Sequence, residues 1–147
     1  MGLLDRLRGS SAQVGMFVDG PNVFRPEFDV DLDELRELGR EEGSISIARV
    51  YVDENAGSGL IKASEARGFE VITTSADVDV RMAVDAVEAC VDDLIDTIII
   101  VSRDTDFKPV LEQAAKRGIR TVAIAPGEHG RSDALQNVAH RTVTLEG

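Results

Sequence analysis

Acidic side chains recur in this sequence where predicted β-strands end, and such groups can hold a divalent cation together. The polar residues in this pattern are Asp19, Asn22, Asp79, Asp104 and Asp106. Two like unit charges about 4 Å apart repel each other by about 4 kcal/mol at an effective dielectric constant of about 20. A fold that gathers several carboxylates is therefore expected to bind a cation among them. Because every ligand would be an oxygen atom, we expect Mg²⁺ or Mn²⁺.

Each of these residues also has a simpler structural interpretation. The segment 19–22 consists of turn-forming residue types, so its Asp and Asn would also suit a loop. Asp79, Asp104 and Asp106 precede predicted helices, where an acidic side chain stabilises the helix N-terminus. The functional alternative makes the aspartates metal ligands, with Asn22 positioning a carboxylate, a water molecule or a phosphate.

The apolar pattern predicts an α/β fold with a mostly parallel sheet. The predicted strands are 14–18, 45–52, 69–73, 97–101, 119–125 and 140–145. Apolar residues at helical spacing predict helices over 31–42, 60–66 and 80–94, another from Phe107 to a stop at Gly118, and a short one near 132–137. In the helix over 80–94, the apolar stripe expected to face the core consists of Val80, Ala83, Val84, Val87, Cys90, Val91 and Leu94. In open parallel sheets, ligands bind beyond the carboxyl ends of the strands. Asp19 and Asp104 follow the two strands predicted to be central, so we expect them side by side.

The composition fits one domain with an acidic surface. The chain has 147 residues, a formal net charge of −11 and an apolar fraction of 43%. We interpret residues 1–13 as a short leader and 14–147 as a single domain. Abundant Asp and scarce Lys indicate either a solvated acidic surface or a halophilic protein, because molar salt screens charge repulsion.

Several classes of protein are disfavoured by what the sequence lacks. Cys90 is the single cysteine, which excludes an internal disulfide. The sequence shows neither a secretory apolar region nor a run long enough to cross a bilayer, so we predict a cytoplasmic protein without stable membrane insertion. The glycine motifs of nucleotide-binding loops are also missing. Gly20 and Pro21 follow Asp19, so the second acidic residue of a haloacid-dehalogenase-like phosphatase is missing.

Taken together, the acidic motifs resemble those of the NYN domain family, which belongs to the PIN-like nucleases. The motifs that carry the resemblance are Phe17-Val18-Asp19-Gly20-Pro21-Asn22, Val78-Asp79-Val80 with Ala83-Val84-Asp85, and Ser102-Arg103-Asp104-Thr105-Asp106-Phe107. Each motif is short, but their order and spacing extend the resemblance from Val14 to about Leu145.

The resemblance implies a PIN-like three-layer α/β/α sandwich with a mostly parallel central sheet, and a metal-dependent endoribonuclease. The implied ligands of Mg²⁺ or Mn²⁺ are Asp19, Asp79, Asp104 and Asp106, and the catalytic set adds Asn22. The residues expected to bind substrate are Asn22, Ser102, Arg103 and Arg81. The implied partner is single-stranded RNA, and because PIN-like domains often pair, a homodimer is also expected.

The sequence departs from the family pattern at the second and third motifs. The family usually has Lys-Gly before Val-Asp, whereas this chain has Ala76 and Asp77. Arg103 stands where a glycine is usual, and it would either crowd the site or, like Arg81, supply the missing cation. The lost lysine favours a rival interpretation, a non-catalytic NYN-like module that binds RNA or a protein. The retention of every acidic position favours the ribonuclease.

Residues suited to RNA contact are few. Arg25 and Lys108 are further cations expected at the rim of the site, but no basic run occurs. Phe24 and Phe28 are the aromatic residues nearest the motifs that could stack on a base, while Phe107 fits the core by its helical register. We therefore expect weak RNA binding with little sequence preference.

Overall fold

The computed structural model describes residues 12–127 and 133–145, and within them the predicted strands and helices occur in the predicted order. One difference is a short helix over Gly20–Val23, where the residue types predicted a turn. The strands are β1 (Gln13–Asp19), β2 (Ser44–Asp53), β3 (Glu70–Thr74), β4 (Thr97–Val101), β5 (Arg120–Pro126) and β6 (Arg141–Leu145). The helices are α1 (Gly20–Val23), α2 (Leu32–Glu42), α3 (Ser58–Ala66), α4 (Val78–Val91), α5 (Lys108–Lys116) and α6 (Asp133–Val138). A 3₁₀ turn over Thr105–Phe107 precedes α5.

These six strands form one sheet and all run parallel, in the order β3-β2-β1-β4-β5-β6. The strand order reverses between β1 and β4, and at such a switch point a crevice opens beyond the carboxyl ends of the strands. Asp19 ends β1, and Ser102 directly follows β4, whose last residue Val101 pairs with Val18. The expectation that Asp19 lies beside the residues after β4 is therefore confirmed.

Helices cover both faces of the sheet, which confirms the predicted three-layer sandwich. Along β4, Ile98 and Ile100 pack in the core shared with α4, α5 and α6, whereas Ile99 and Val101 pack in the core shared with α1, α2 and α3. All five side chains of β4 are buried. A run of β-branched residues is typical of such a central strand because both of its faces are covered.

Helix α4 differs from the prediction in its start and in the face that it buries. It begins at Val78 rather than at Val80. Its buried residues are Met82, Ala86, Ala89 and Cys90. Val80 and Val84, which the apolar pattern placed in the core, are 57% and 58% exposed. The helix is therefore rotated so that Met82 and the small residues after it face the sheet, while Val80 and Val84 face outward.

Part of the expected organisation lies outside the described residues. Of the predicted leader, only Ala12 and Gln13 are described, and Gln13 already belongs to β1. The predicted short helix near 132–137 corresponds to α6, although residue 132 itself lies outside the described ranges. Within the described ranges, the structure contains no helix whose length and apolar character would suffice for crossing a bilayer.

Candidate active site

Asp19 is a buried carboxylate at the carboxyl end of β1. Only 4% of its surface is exposed, and its Oδ2 accepts a hydrogen bond of 2.9 Å from the Ser102 hydroxyl. Burial raises the pKa of the Asp19 carboxyl to about 6, against the opposing effect of the Ser102 hydrogen bond. The negative charges of Asp104 and Asp79 raise the same pKa further. Asp19 therefore changes its charge close to neutral pH.

The short helix α1 joins the loop after β1 to the loop after β4. Pro21 lies in its first turn, where the fixed φ of proline favours helix initiation. The side-chain Oδ1 of Asn22 accepts the backbone N–H of Arg103 at 2.9 Å. One end of the Asn22 amide thus has a structural role, and its NH₂ group is the part that can contact a ligand.

Gly20 approaches β2 so closely that a side chain is excluded. A Cβ at this position would lie 2.3 Å from the carbonyl oxygen of Tyr51. We expect Gly20→Ala to displace α1 and to lower the free energy of unfolding by about 2–3 kcal/mol, because overpacking costs about 1–3 kcal/mol. Urea unfolding measures this loss. Gly57→Ala is the control, since a Cβ there meets no atom within 4 Å, and equal stability of the two variants would contradict the close approach.

The turn between β4 and α5 is stabilised by its own polar residues. The backbone N–H of Asp104 donates to the Ser102 Oγ at 3.0 Å, and the N–H of Asp106 donates to Asp104 Oδ1 at 2.9 Å. Asp104 is thus the N-cap of the 3₁₀ turn, as the simpler structural interpretation predicted. Because the cap uses Oδ1, the second oxygen of Asp104 remains for a ligand.

Three of the predicted acidic residues form a cluster. One carboxylate oxygen from each of Asp79, Asp104 and Asp106 lies within 4.8 Å of the others. Asp79 is not the N-cap of α4, which is Asp77, but it lies in the first turn of that helix, where its charge favours the helix N-terminus and its Oδ1 accepts the N–H of Val80 at 3.1 Å. The negative charge of Asp104 raises the pKa of the Asp106 carboxyl, and a hydrogen bond with Asp79 adds to the shift.

A cleft of about 350 Å³ lies beside this cluster. Its lining contains Asp19, Asn22, Asp79 and Asp104. Asp106 is not part of that lining, and Asp19 is not one of the three clustered residues. The structure therefore brings Asp79, Asp104 and Asp106 together and places Asp19 on the cleft that Asp79 and Asp104 also line.

The cleft lining also contains acidic residues that the sequence analysis did not assign to the site. Asp53 and Asp77 both line it, together with Arg25, which was expected at the rim. Asp53 ends β2, the strand beside β1. The rule that identified Asp19, an acidic residue at a strand end, would have identified Asp53 as well.

The two arginines expected to bind substrate make contacts within the protein. Arg81 Nε pairs with Asp85 Oδ2 at 3.1 Å, and the same oxygen accepts the Tyr51 hydroxyl at 2.8 Å. Asp85 therefore connects α4 to β2. The Arg103 guanidinium lies 4.7 Å from the centroid of the Phe28 ring, a cation–π geometry.

The chemistry of the donor set fits a hard divalent cation. Within the described part of the chain, none of the ion pairs with Lys or Arg involves the acidic residues of the site, which are Asp19, Asp79, Asp104 and Asp106. Their mutual repulsion contributes to the raised pKa values of Asp19 and Asp106. Mg²⁺ and Mn²⁺ prefer such carboxylate oxygens, and either ion would relieve the repulsion.

Comparison with known proteins gives consistent matches over the chain. The family model of the NYN domain matches residues 13–146. The uncharacterized protein MJ0482 of Methanocaldococcus jannaschii is 43% identical over 140 residues, which are 95% of this chain and 58% of that protein. The chain thus spans little more than half the length of this relative.

A solved structure has the same fold. The protein of unknown function VPA0982 from Vibrio parahaemolyticus superposes with a TM-score of 0.80 at 21% sequence identity, over 92% of this chain and 94% of that chain. Because the NYN match covers nearly every described residue, and the motifs lie at the predicted edge of the sheet, the chain belongs to the NYN domain family of PIN-like nucleases.

Proposed function

We propose that this protein is a metal-dependent endoribonuclease that hydrolyses phosphodiester bonds of RNA. The observation that carries the proposal is the cluster of Asp79, Asp104 and Asp106, whose oxygens lie within 4.8 Å of one another beside the buried Asp19. These three carboxylates would hold Mg²⁺ or Mn²⁺. Such an ion, when bound, supplies an activated water near neutral pH and neutralises charge on phosphoryl oxygens.

The residues of the chain itself have distinct roles in this proposal. Asp19 would accept a proton from the attacking water, because its carboxyl group is buried beside the cluster and lines the same cleft. Ser102 orients Asp19 through its hydroxyl, and it also binds the N–H of Asp104. Asn22 contributes its NH₂ group to the cleft, and Arg25 offers a cation at the rim.

The test of this function is cleavage of single-stranded RNA by the purified protein. We expect cleavage in Mn²⁺ or Mg²⁺, none after chelation with EDTA, and recovery when the ion is added back. Internal cleavage of a circular RNA shows that the activity is endonucleolytic. Cleavage that persists in EDTA would contradict the proposal.

A matched pair of variants separates this site from a contaminating nuclease. Asp79→Asn removes a clustered carboxylate, and we expect it to raise the Mn²⁺ concentration for half-maximal cleavage at least about tenfold, the effect typical of a disturbed metal site. Asp77→Asn is the control, because Asp77 lines the same cleft outside the cluster and makes no capping hydrogen bond. If both variants showed the same Mn²⁺ dependence, the cleavage would come from a contaminating nuclease rather than from this site.

A non-catalytic module that binds RNA or a protein is the second candidate. Two observations favour it: Ala76 lines the cleft at the position where the family usually has lysine, and Arg81 is paired with Asp85 rather than directed to a substrate. Under this alternative, RNA binds in the presence of Mn²⁺ and stays intact. The cleavage assay therefore distinguishes the two candidates directly.

A further inference from the structure

A second groove, of about 460 Å³, adjoins the acidic cluster between the starts of α4 and α5. Its lining includes two clustered carboxylates, Asp79 and Asp106. The other residues that matter here are Val80, Ala83, Lys108 and Pro109. The volume falls within the range of small-molecule sites, roughly 300–1,000 Å³.

The groove combines an apolar wall with a cation. Val80 is 57% exposed, and Pro109 is exposed as well. Lys108 is one of only three lysines in the chain, and in the described residues it takes part in no ion pair with Asp or Glu. An apolar surface beside an ammonium group that forms no ion pair in the described residues matches a nucleotide, because the flat face of a base packs on apolar side chains and the phosphate is anionic.

We propose that this groove binds the nucleotide next to the scissile phosphate. The base lies against Val80, Ala83 and Pro109, and Lys108 binds the adjacent phosphate. This proposal rests on the proposed function, because the shared residues Asp79 and Asp106 place the groove directly beside the reacting phosphate. Lys108, at the start of α5, thereby supplies a positive charge to the site. It replaces the lysine that the family usually has at the position of Ala76, in the loop before α4.

The groove also selects for unpaired RNA. A base can lie against apolar side chains only when its stacking neighbours and pairing partner have released it. In a protein with a net charge of −11, a single phosphate contact by lysine carries a large share of the attraction. We therefore expect binding of single strands to depend on Lys108 and binding of duplex RNA to be weak.

The first experiment measures binding apart from cleavage. A short fluorescein-labelled oligouridine is titrated with protein in Ca²⁺, with intactness checked on a gel, and fluorescence anisotropy is recorded at several salt concentrations. We expect Lys108→Ala to weaken binding about fivefold and to reduce the salt slope by about one. Lys116→Ala is the control, because it removes the same charge from the far end of α5. Equal weakening by both variants, or none by Lys108→Ala, would overturn the proposal.

The second experiment tests the apolar wall. Val80→Ser is compared with Val91→Ser, a similarly exposed valine (49%) at the opposite end of α4. We expect Val80→Ser to weaken oligouridine binding about threefold to fourfold, the effect of losing apolar contact equal to about one CH₂ group, and Val91→Ser to leave it unchanged. The same affinity in both variants would overturn the base contact.

The outcomes separate this proposal from the proposed function. If the cluster variants lose cleavage while Lys108→Ala and Val80→Ser bind RNA like the wild type, the nuclease proposal holds and the groove proposal is wrong. If the wild type never cleaves RNA but both groove variants bind it more weakly than their controls, the groove binds a nucleotide of single-stranded RNA, whereas the nuclease proposal and the position beside a scissile phosphate are wrong.

Discussion

Replacing Asp104 with Asn is expected to lower the rate of Mn²⁺-dependent RNA cleavage about 100- to 1,000-fold, the usual effect of losing one preorganised polar group at a reacting centre. Asp104 belongs to the cluster with Asp79 and Asp106, and it also lines the cleft beside Asp19. The amide of Asn keeps an Oδ1 that can accept the N–H of Asp106, so the turn is retained while the charge is lost. Cleavage at saturating RNA, measured over a range of Mn²⁺ concentrations, gives the effect.

Asp31→Asn is the matched control for this variant. Asp31 is the N-cap of α2 and accepts the N–H of Asp33 at 2.8 Å, so the same substitution removes the same charge from the same kind of cap. Asp31 is not part of the cleft lining. We expect wild-type cleavage from Asp31→Asn. Full activity in Asp104→Asn would show that the cluster does not serve the reaction.

Asp19→Asn is expected to stabilise the metal-free protein at neutral pH. The pKa of Asp19 is about 6 in the fold against an ordinary value of 3.8, a difference of about two pKa units, or up to about 3 kcal/mol. The folded protein therefore disfavours the charged carboxylate. Without a metal ion and at pH 8, we expect the neutral variant to be more stable than the wild type by about 2–3 kcal/mol, while cleavage is lost.

The pH dependence gives this prediction a definite sign. Because the raised pKa makes the folded state bind the proton more tightly, the wild-type free energy of unfolding falls as pH rises from about 4 to about 6, and the contribution is constant above that. The two proteins should therefore be similar near pH 4 and differ most above pH 6. Urea unfolding in EDTA at several pH values measures the difference. If Asp19→Asn were less stable than the wild type at pH 8, burial would not destabilise the charged Asp19 carboxylate, and the prediction would be wrong.

Mn²⁺ should narrow the difference in stability between the wild type and Asp19→Asn. An ion at about 100 times its Kd stabilises the protein that binds it by about 2.7 kcal/mol. The wild type retains Asp19 beside the cluster and should gain more from the ion than Asp19→Asn does. Equal stabilisation of both proteins would show that Asp19 has no part in ion binding.

Much of the fold and part of the site follow from local patterns in the sequence. The β-branched run 97–101 identifies the central strand because its side chains are buried on both faces. The sequence also places Asp19 and Asp104 at neighbouring strand ends, since parallel strands with similar register end at the same edge. Predicting these features requires only the spacing of apolar residues and the topology of parallel sheets.

Other features depend on tertiary packing and were not predictable in this way. The apolar stripe of α4 gives the period of the helix but not its rotation, so Val80 and Val84 were assigned to the core although they face outward. The pairing of Arg81 with Asp85 depends on the Tyr51 hydroxyl of another element, which the spacing in the sequence does not reveal. The separation of Asp19 from the three clustered carboxylates likewise requires side-chain geometry.

The strand order also determines when the site can exist during synthesis of the chain. Strand β1 can pair with β2 early, but its other neighbour, β4, comes only at residues 97–101, and two of the clustered aspartates follow at 104 and 106. A nascent chain that has not yet emerged to this point has no complete cluster. The ribosome, itself largely RNA, is therefore not exposed to a finished cluster until most of the domain has left the exit tunnel.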